Sequence, residues 1–145
     1  DMTIHRISVH YGFYDTAEYT DSVDNFNCLF VNDIFETFKS FDYEIILKRK
    51  RPNKYLKTNY RNLVNKLSTQ GLKVIDEPVS AYYLNKNSEI VFSTPFTSAN
   101  LMTNNYKNNF YYDPIKKILK NDIAARGLPI ISGLDELKKL KERIT

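Results

Sequence analysis

Short apolar runs alternate with longer amphipathic stretches along this chain of 145 residues. The apolar runs have the length and composition of β-strands, and they lie at 4–11, 43–47, 72–76, 89–93, 109–113 and 128–132. Stretches between them, such as 24–40 and 58–70, place apolar side chains at helical spacing. Strands that alternate with helices are connected by right-handed crossovers, which produce parallel pairing.

This alternation predicts an α/β fold. We expect a three-layer α/β/α sandwich built on a Rossmann-like, mostly parallel sheet of about six strands. The length is that of one ordinary domain, so we expect residues 1–145 to form a single domain.

Three helix ends carry capping signals. Asp24 is the expected N-cap of the first helix, because its side chain can accept a bond from a free helical amide. Gly71 is the expected residue just beyond the second helix. Ser132 and Asp135 form an S-x-x-D capping box, which predicts a helix from about residue 133.

Sheets of this type bind ligands beyond the carboxyl ends of their strands. That rule selects five stretches as candidate sites, at 10–13, 48–51, 76–78, 93–98 and 113–114. We expect the functional side chains to come from these stretches.

The stretch STPFTSA at 93–99 combines four hydroxyl residues with one proline. Pro95 restricts the backbone after the strand and so favours a turn. Thr97 and Ser98 precede a predicted helix, whose first amides could hold a phosphate together with the two hydroxyls. Ordinary helix capping by Thr97 or Ser98 accounts for the same residue types equally well.

The segment 48–57 contains six basic residues and no acidic residue. In an extended chain Lys48 and Lys50 point to one side, and Arg49 and Arg51 point to the other. One of these pairs can therefore face a phosphate-bearing ligand. A solvated basic loop is the alternative.

Other strand ends carry carboxylates and a histidine. Asp76 and Glu77 can accept hydrogen bonds from ribose hydroxyls or a base, or can cap the next helix. Asp113 is held before a proline, which suits a base, a sugar ligand or a residue that starts a turn. His10 lies at the end of the first predicted strand. It can reach a phosphate or substrate there, or be a purely structural histidine.

Composition removes several classes of protein. The chain has four glycines and lacks both the G-x-G-x-x-G pattern and the Walker lysine motif, so dehydrogenases and P-loop ATPases lose support. One cysteine excludes an intrachain disulfide, and no set of residues has metal-ligand spacing. A net charge of +4 is small for a nucleic-acid binder. No apolar run is long enough to span a bilayer, so we expect a cytoplasmic protein.

Several motifs in a fixed order resemble a known family. The order LKRKR, VID, SEIVFSTPFTSANL, FYYDP and NDIAARGLPIISGLDELKKL resembles the C-terminal part of the leptospiral-type surface-polysaccharide (O-antigen) transferases. The resemblance covers residues 43–140. Asn100 and Leu101 depart from the pattern, in which small residues and threonine follow the PFTS turn.

The resemblance implies a glycosyltransferase of GT-B-like build, with this chain as the C-terminal, nucleotide-sugar-binding half of a longer protein. Distant similarity to Kdo and sialic-acid transferases implies a CMP-activated sugar. It implies a catalytic role for Asp113 and phosphate binding by the PFTS turn and the lysine-rich strand end. Together with the two candidates from other strand ends, the expected nucleotide-binding residues are Lys48, Lys50, Thr97, Ser98, His10 and Glu77.

The expected partners follow from this interpretation. They are the nucleotide-sugar as a substrate, a glycan acceptor, an N-terminal domain outside this chain, and the cytoplasmic face of the inner membrane. We expect no cofactor, no metal and no nucleic acid. The alternative function is a non-catalytic Rossmann-type nucleotide-binding or interaction module.

Overall fold

The computed structural model describes residues 19–49, 58–76, 78–102 and 108–144. The chain divides into two compact units, Asp1–Asp76 and Glu77–Thr145. The predicted first strand at 4–11 lies outside the described residues.

The first unit contains two helices and a parallel pair of strands. Its elements are α1 (Tyr19–Phe38), β1 (Ile46–Lys48), α2 (Thr58–Ser68) and β2 (Lys73–Ile75). Lys48 at the end of β1 is the register partner of Ile75 at the end of β2. The buried apolar core joins both helices and the start of β2 through Val31, Phe35, Tyr60, Val64, Leu67 and Leu72.

Helix α2 ends as its glycine predicts. Gly71 has a φ of 111°, a left-handed conformation that favours glycine. The amide of Leu72 donates to the carbonyl of Leu67 at 3.0 Å, and that of Gly71 donates to Ser68 at 3.2 Å. These two bonds form a Schellman motif, and its apolar residues Leu67 and Leu72 join the core.

The second unit contains a three-stranded sheet. Its elements are α3 (Ala81–Lys86), β3 (Val91–Ser93), α4 (Ser98–Leu101), β4 (Asn109–Asp113), a 3-10 turn (Ile123–Ala125), β5 (Ile130–Ser132) and α5 (Gly133–Ile144). The strand order is β3-β4-β5, and both pairings are parallel. Tyr111 on the central strand is fully buried, and Ala125, Leu128 and Ile130 pack with it.

The structure confirms a mixed α/β protein with parallel strands. The described strands form one sheet of two strands and one of three, so a single sheet of about six strands in a three-layer sandwich stays a prediction. The N-cap assignment of Asp24 is wrong, because α1 begins at Tyr19 and runs through that position.

The start of α5 also differs from the predicted capping box. The amide of Ser132 donates to Oε2 of Glu136 at 2.9 Å, so Glu136 takes the role that the sequence assigned to Asp135. Asp135 instead lies 3.6 Å from the ammonium of Lys116. Gly133 has a φ of 75°, and a Cβ at this position would collide with Cε of Lys116. The positive φ favours a glycine here, since the exposed end of the Lys116 side chain can move away from a Cβ.

Glu136 makes the stability of this helix start depend on pH. Partial burial raises its pKa, but hydrogen bonds from Lys120 and Ser132 and the charges of Lys120 and Lys139 outweigh this and lower the pKa below 4.5. A lowered pKa in the folded state gives a stabilisation that is present above pH 4.5 and is lost as the pH falls through the folded pKa.

We expect Glu136→Gln to lower the free energy of unfolding at pH 7 by about 1 kcal/mol or less, because the ion pair is largely exposed. The difference from wild type should shrink below pH 4.5. Urea unfolding at both pH values measures it, with Glu142→Gln on the last turn of α5 as a control. A difference that stays constant with pH would contradict this assignment.

Candidate functional site

Three strand ends meet at one edge of the second sheet. Ser93 is the register partner of Tyr111, and Asp113 is the register partner of Ser132. Because the strands are parallel, the carboxyl ends of β3, β4 and β5 lie at the same edge. Helix α5 starts at this edge directly after β5, and the PFTS turn follows β3. We call this the carboxyl edge; it includes Thr97, Ser98 and Asp113 from the predicted set.

The PFTS turn is held by its own side chains. Phe96 has a φ of 64°, which is uncommon for any residue other than glycine. Its ring packs edge-on against Tyr111, with ring centroids 5.8 Å apart. Thr97 stands at the N-cap position of α4, but its hydroxyl donates to the carbonyl of Thr94 at 2.9 Å and makes no capping bond. Ser98 is exposed.

Helix α4 covers only Ser98–Leu101, shorter than the predicted helix from 97 to 106. Four residues give a weak local dipole, so hydroxyls and single amides matter more at this turn than a helix terminus does. Side-chain capping by Thr97 is wrong, because its hydroxyl donates to the Thr94 carbonyl and stabilises the turn instead.

Asn100 fastens the turn to the sheet. It is fully buried, and its Nδ2 donates to Oγ of Ser93 at 2.8 Å and to the carbonyl of Phe110 at 3.0 Å. One side chain thus joins α4 to β3 and β4. The sequence marked Asn100 as a departure from the resembling pattern, and the structure gives this residue a hydrogen-bonding role.

Asp113 is fully buried at the end of β4. Its Oδ1 accepts a bond from the amide of Ile115 at 3.2 Å, and its Oδ2 accepts one from the amide of Ile118 at 2.8 Å. Both oxygens therefore fix the start of the chain that leaves the sheet. The catalytic role of Asp113 stays a prediction.

Two hydroxyls near the carboxyl edge are buried and make no hydrogen bond with the described part of the chain. They are Oγ1 of Thr94 and Oγ of Ser132. Thr94 is 5% exposed. Buried hydroxyls normally have a partner, so these two are candidates for binding a polar ligand. The sequence analysis included Thr94 in the candidate stretch 93–98 without giving it a role, and named Ser132 only as a capping residue.

The first unit has its own charged strand ends. Arg49 follows β1 with 3% of its side chain exposed, and Asp76 follows β2. Nε of Arg49 donates to Oδ1 of Asp76 at 2.8 Å, and Nη2 donates to Oδ2. This two-bond contact joins the ends of both parallel strands, so the carboxylate that could have bound a ribose is engaged within the protein.

Lys48 and Tyr60 lie beside this pair. Nζ of Lys48 donates to the carbonyl of Arg49 at 2.9 Å. Burial raises the pKa of Tyr60 to about 12, with the charge of Arg49 opposing and Cys28 and Asp76 adding to the rise. Tyr60 therefore keeps its proton at neutral pH and is not a base.

Three predicted site residues, Lys50, His10 and Glu77, lie outside the described residues. Within the described ranges, no three His, Cys, Asp or Glu side chains form a group that could hold a metal ion. No helix in the same ranges is long and apolar enough to cross a membrane.

Fold and carboxyl edge together define an α/β protein with a candidate ligand site at the ends of parallel strands. The model of the polysaccharide biosynthesis PFTS motif protein family matches residues 9–140, and the chain belongs to this family. A role in polysaccharide biosynthesis is thereby supported. No curated protein and no solved structure matches the chain.

The Arg49–Asp76 pair predicts an asymmetry between two variants. Asp76→Asn removes a carboxylate that pairs with a buried guanidinium, whereas Arg49→Met leaves a carboxylate whose side chain is 39% exposed. We expect Asp76→Asn to cost about 2–4 kcal/mol of unfolding free energy and Arg49→Met clearly less.

Chemical denaturation measures both values. The matched control is the exposed pair of Lys73 and Glu44 in the same unit, where Glu44→Gln should cost about 1 kcal/mol or less. Equal costs for Asp76→Asn and Arg49→Met would contradict the buried-arginine description.

Asn100→Leu should be strongly destabilising, because it places a larger apolar side chain at a fully buried position and removes one hydrogen bond to Ser93 and one to the Phe110 carbonyl. We expect a loss of about 2–4 kcal/mol in unfolding free energy. Ser98→Ala, at an exposed position two residues earlier, should change it by about 0.5 kcal/mol or less. Thermal unfolding distinguishes the two variants. An unchanged stability of Asn100→Leu would show that the buried amide does not stabilise the contact between α4 and the sheet.

Proposed function

We propose that this chain binds the nucleotide-sugar donor of a glycosyltransferase that acts in bacterial surface-polysaccharide biosynthesis. One observation carries the proposal: the parallel order β3-β4-β5 brings the PFTS turn, Asp113 and the start of α5 to a single edge. Ligands of open parallel sheets bind at that edge.

The chemistry of the leaving group suits these residues. When a nucleotide-sugar reacts, the bond between the sugar and the phosphate oxygen breaks, and negative charge grows on the departing nucleotide. Hydroxyl groups, amides and ammonium groups that already point at this charge stabilise the transition state. Thr94, Ser98 and Ser132 supply hydroxyls at the carboxyl edge. Lys48, to which the resemblance assigns phosphate binding, belongs to the first unit.

The resemblance to Kdo and sialic-acid transferases favours a CMP-activated sugar as the donor. The nucleotide-sugar is then a substrate, and the glycan acceptor is the second substrate. In a GT-B-like arrangement a further domain supplies the acceptor side and the catalytic base. We propose that Lys50, His10 and Glu77 complete the donor site.

Asp113 favours a second candidate, a non-catalytic nucleotide-binding module. Its side chain is fully buried and both of its oxygens accept backbone hydrogen bonds, so the contacts of this carboxylate are with the fold itself. Its role in donor binding is then to hold the edge in shape. Nucleotide binding without sugar transfer, in the presence of acceptor and partner domain, would favour this candidate.

Calorimetric titration of the full chain with CMP, UDP and GDP tests the proposal. We expect one nucleotide to bind, and Ser98→Ala to raise its Kd by about tenfold, as expected for loss of a hydrogen bond to a charged group. Lys48→Ala should weaken binding similarly. Ser88→Ala, an exposed serine before β3, is the control.

Absence of heat for all three nucleotides at millimolar concentration and low salt would overturn donor binding. Binding that the two site variants leave unchanged would place the nucleotide elsewhere on the chain.

A further inference from the structure

The connection from β4 to β5 exposes two large aliphatic side chains. We call residues 114–129 the crossover segment. Leu119 is 72% exposed and Ile123 is 93% exposed. The amide of Asp122 donates to the carbonyl of Leu119 at 3.1 Å. Leu119 is therefore the first residue of a hydrogen-bonded turn, and Ile123 directly follows that turn. We call these two exposed side chains the apolar tip.

Hydrogen bonds hold the backbone around the apolar tip. The amide of Ala124 donates to Oδ1 of Asp122 at 2.9 Å, and the amide of Arg126 donates to the carbonyl of Ile123 at 3.2 Å. On the inner side of the segment, Ile118, Ala125 and Leu128 pack with Tyr111 in the core. Some apolar residues of the segment therefore pack in the core, whereas Leu119 and Ile123 are exposed to solvent.

Basic residues surround the tip. The crossover segment has four basic residues and one aspartate, which gives a net charge of +3. The basic residues are exposed and are Lys116, Lys117, Lys120 and Arg126. Two of them contact α5, through Lys116 to Asp135 and Lys120 to Glu136. Ion pairs as exposed as these are weak, so the cations still attract an anionic surface.

A shallow cavity lies on the same segment. It has a volume of about 410 Å³, and its lining includes Lys120, Ile123 and Arg126. Cations and an aliphatic side chain therefore border one open space, which is wide enough for a lipid headgroup.

We propose that the crossover segment docks on an anionic lipid bilayer, with Leu119 and Ile123 inserted among the headgroups and the basic residues facing lipid phosphates. Two aliphatic side chains are too few for a stable protein interface, which buries about 800 Å² on each partner. A small apolar tip with a basic rim matches an interfacial anchor that acts through both burial and charge. The proposal does not depend on nucleotide binding.

Sedimentation of the full chain with vesicles tests this docking. We expect binding to vesicles of phosphatidylglycerol and phosphatidylethanolamine, and little binding to pure phosphatidylcholine. Leu119→Ser/Ile123→Ser should lower the bound-to-free ratio by about tenfold or more. Lys117→Gln should lower it by about fivefold at low salt.

Met102→Ser is the matched control, because this side chain is 68% exposed but lies outside the crossover segment. It should bind vesicles as wild type does. Thermal unfolding of all variants checks that each is folded. We expect this result because substitutions at exposed positions change stability little.

Three results would overturn the proposal. One is absence of binding to anionic vesicles at low salt. Another is unchanged binding of the Leu119→Ser/Ile123→Ser variant. The third is a change of oligomeric state in that variant with vesicle binding intact, which would assign the tip to a second copy of the chain.

Discussion

Parallel pairing of β4 with strands on both sides is the constraint on which the second unit depends. Tyr111, Tyr112 and Asp113 on this strand are fully buried, so its register with β3 and β5 is held by packing as well as by backbone hydrogen bonds. A shift by one residue would turn the ring of Tyr111 away from Ala125, Leu128 and Ile130. Because both neighbours run the same way, the carboxyl ends of β3, β4 and β5 reach one edge.

Many polar residues at the strand ends serve the fold itself. Asp113 binds two backbone amides, Asn100 joins a helix to two strands, and Arg49 pairs with Asp76 across two strands. Buried polar groups need such partners, because an unsatisfied one would cost stability. Asp113 and Asn100 therefore shape the carboxyl edge, and the Arg49–Asp76 pair holds the strand ends of the first unit. Groups suited to ligand contact are the exposed Ser98 and the buried hydroxyls of Thr94 and Ser132.

Local patterns predicted the elements well and their contacts less well. The run at 109–113 is β4 to the residue, and Gly71 ends α2 because only its positive φ allows that turn. Long-range partners were not accessible: nothing in KRKR shows that Arg49 turns inward to Asp76, 27 residues later. The capping box was wrong by one residue: Asp135 and Glu136 are adjacent acidic residues, and Glu136 accepts the bond from Ser132.

The most direct test is to map which backbone amides of the second unit change their chemical shift when a nucleotide is added. Two-dimensional NMR of the full chain during titration with CMP and UDP provides this map. The account predicts the largest shifts at the carboxyl edge, within 93–98, 113–118 and 132–136. Shifts concentrated at the opposite ends of the strands, around 90–91, 108–109 and 129–130, would contradict it.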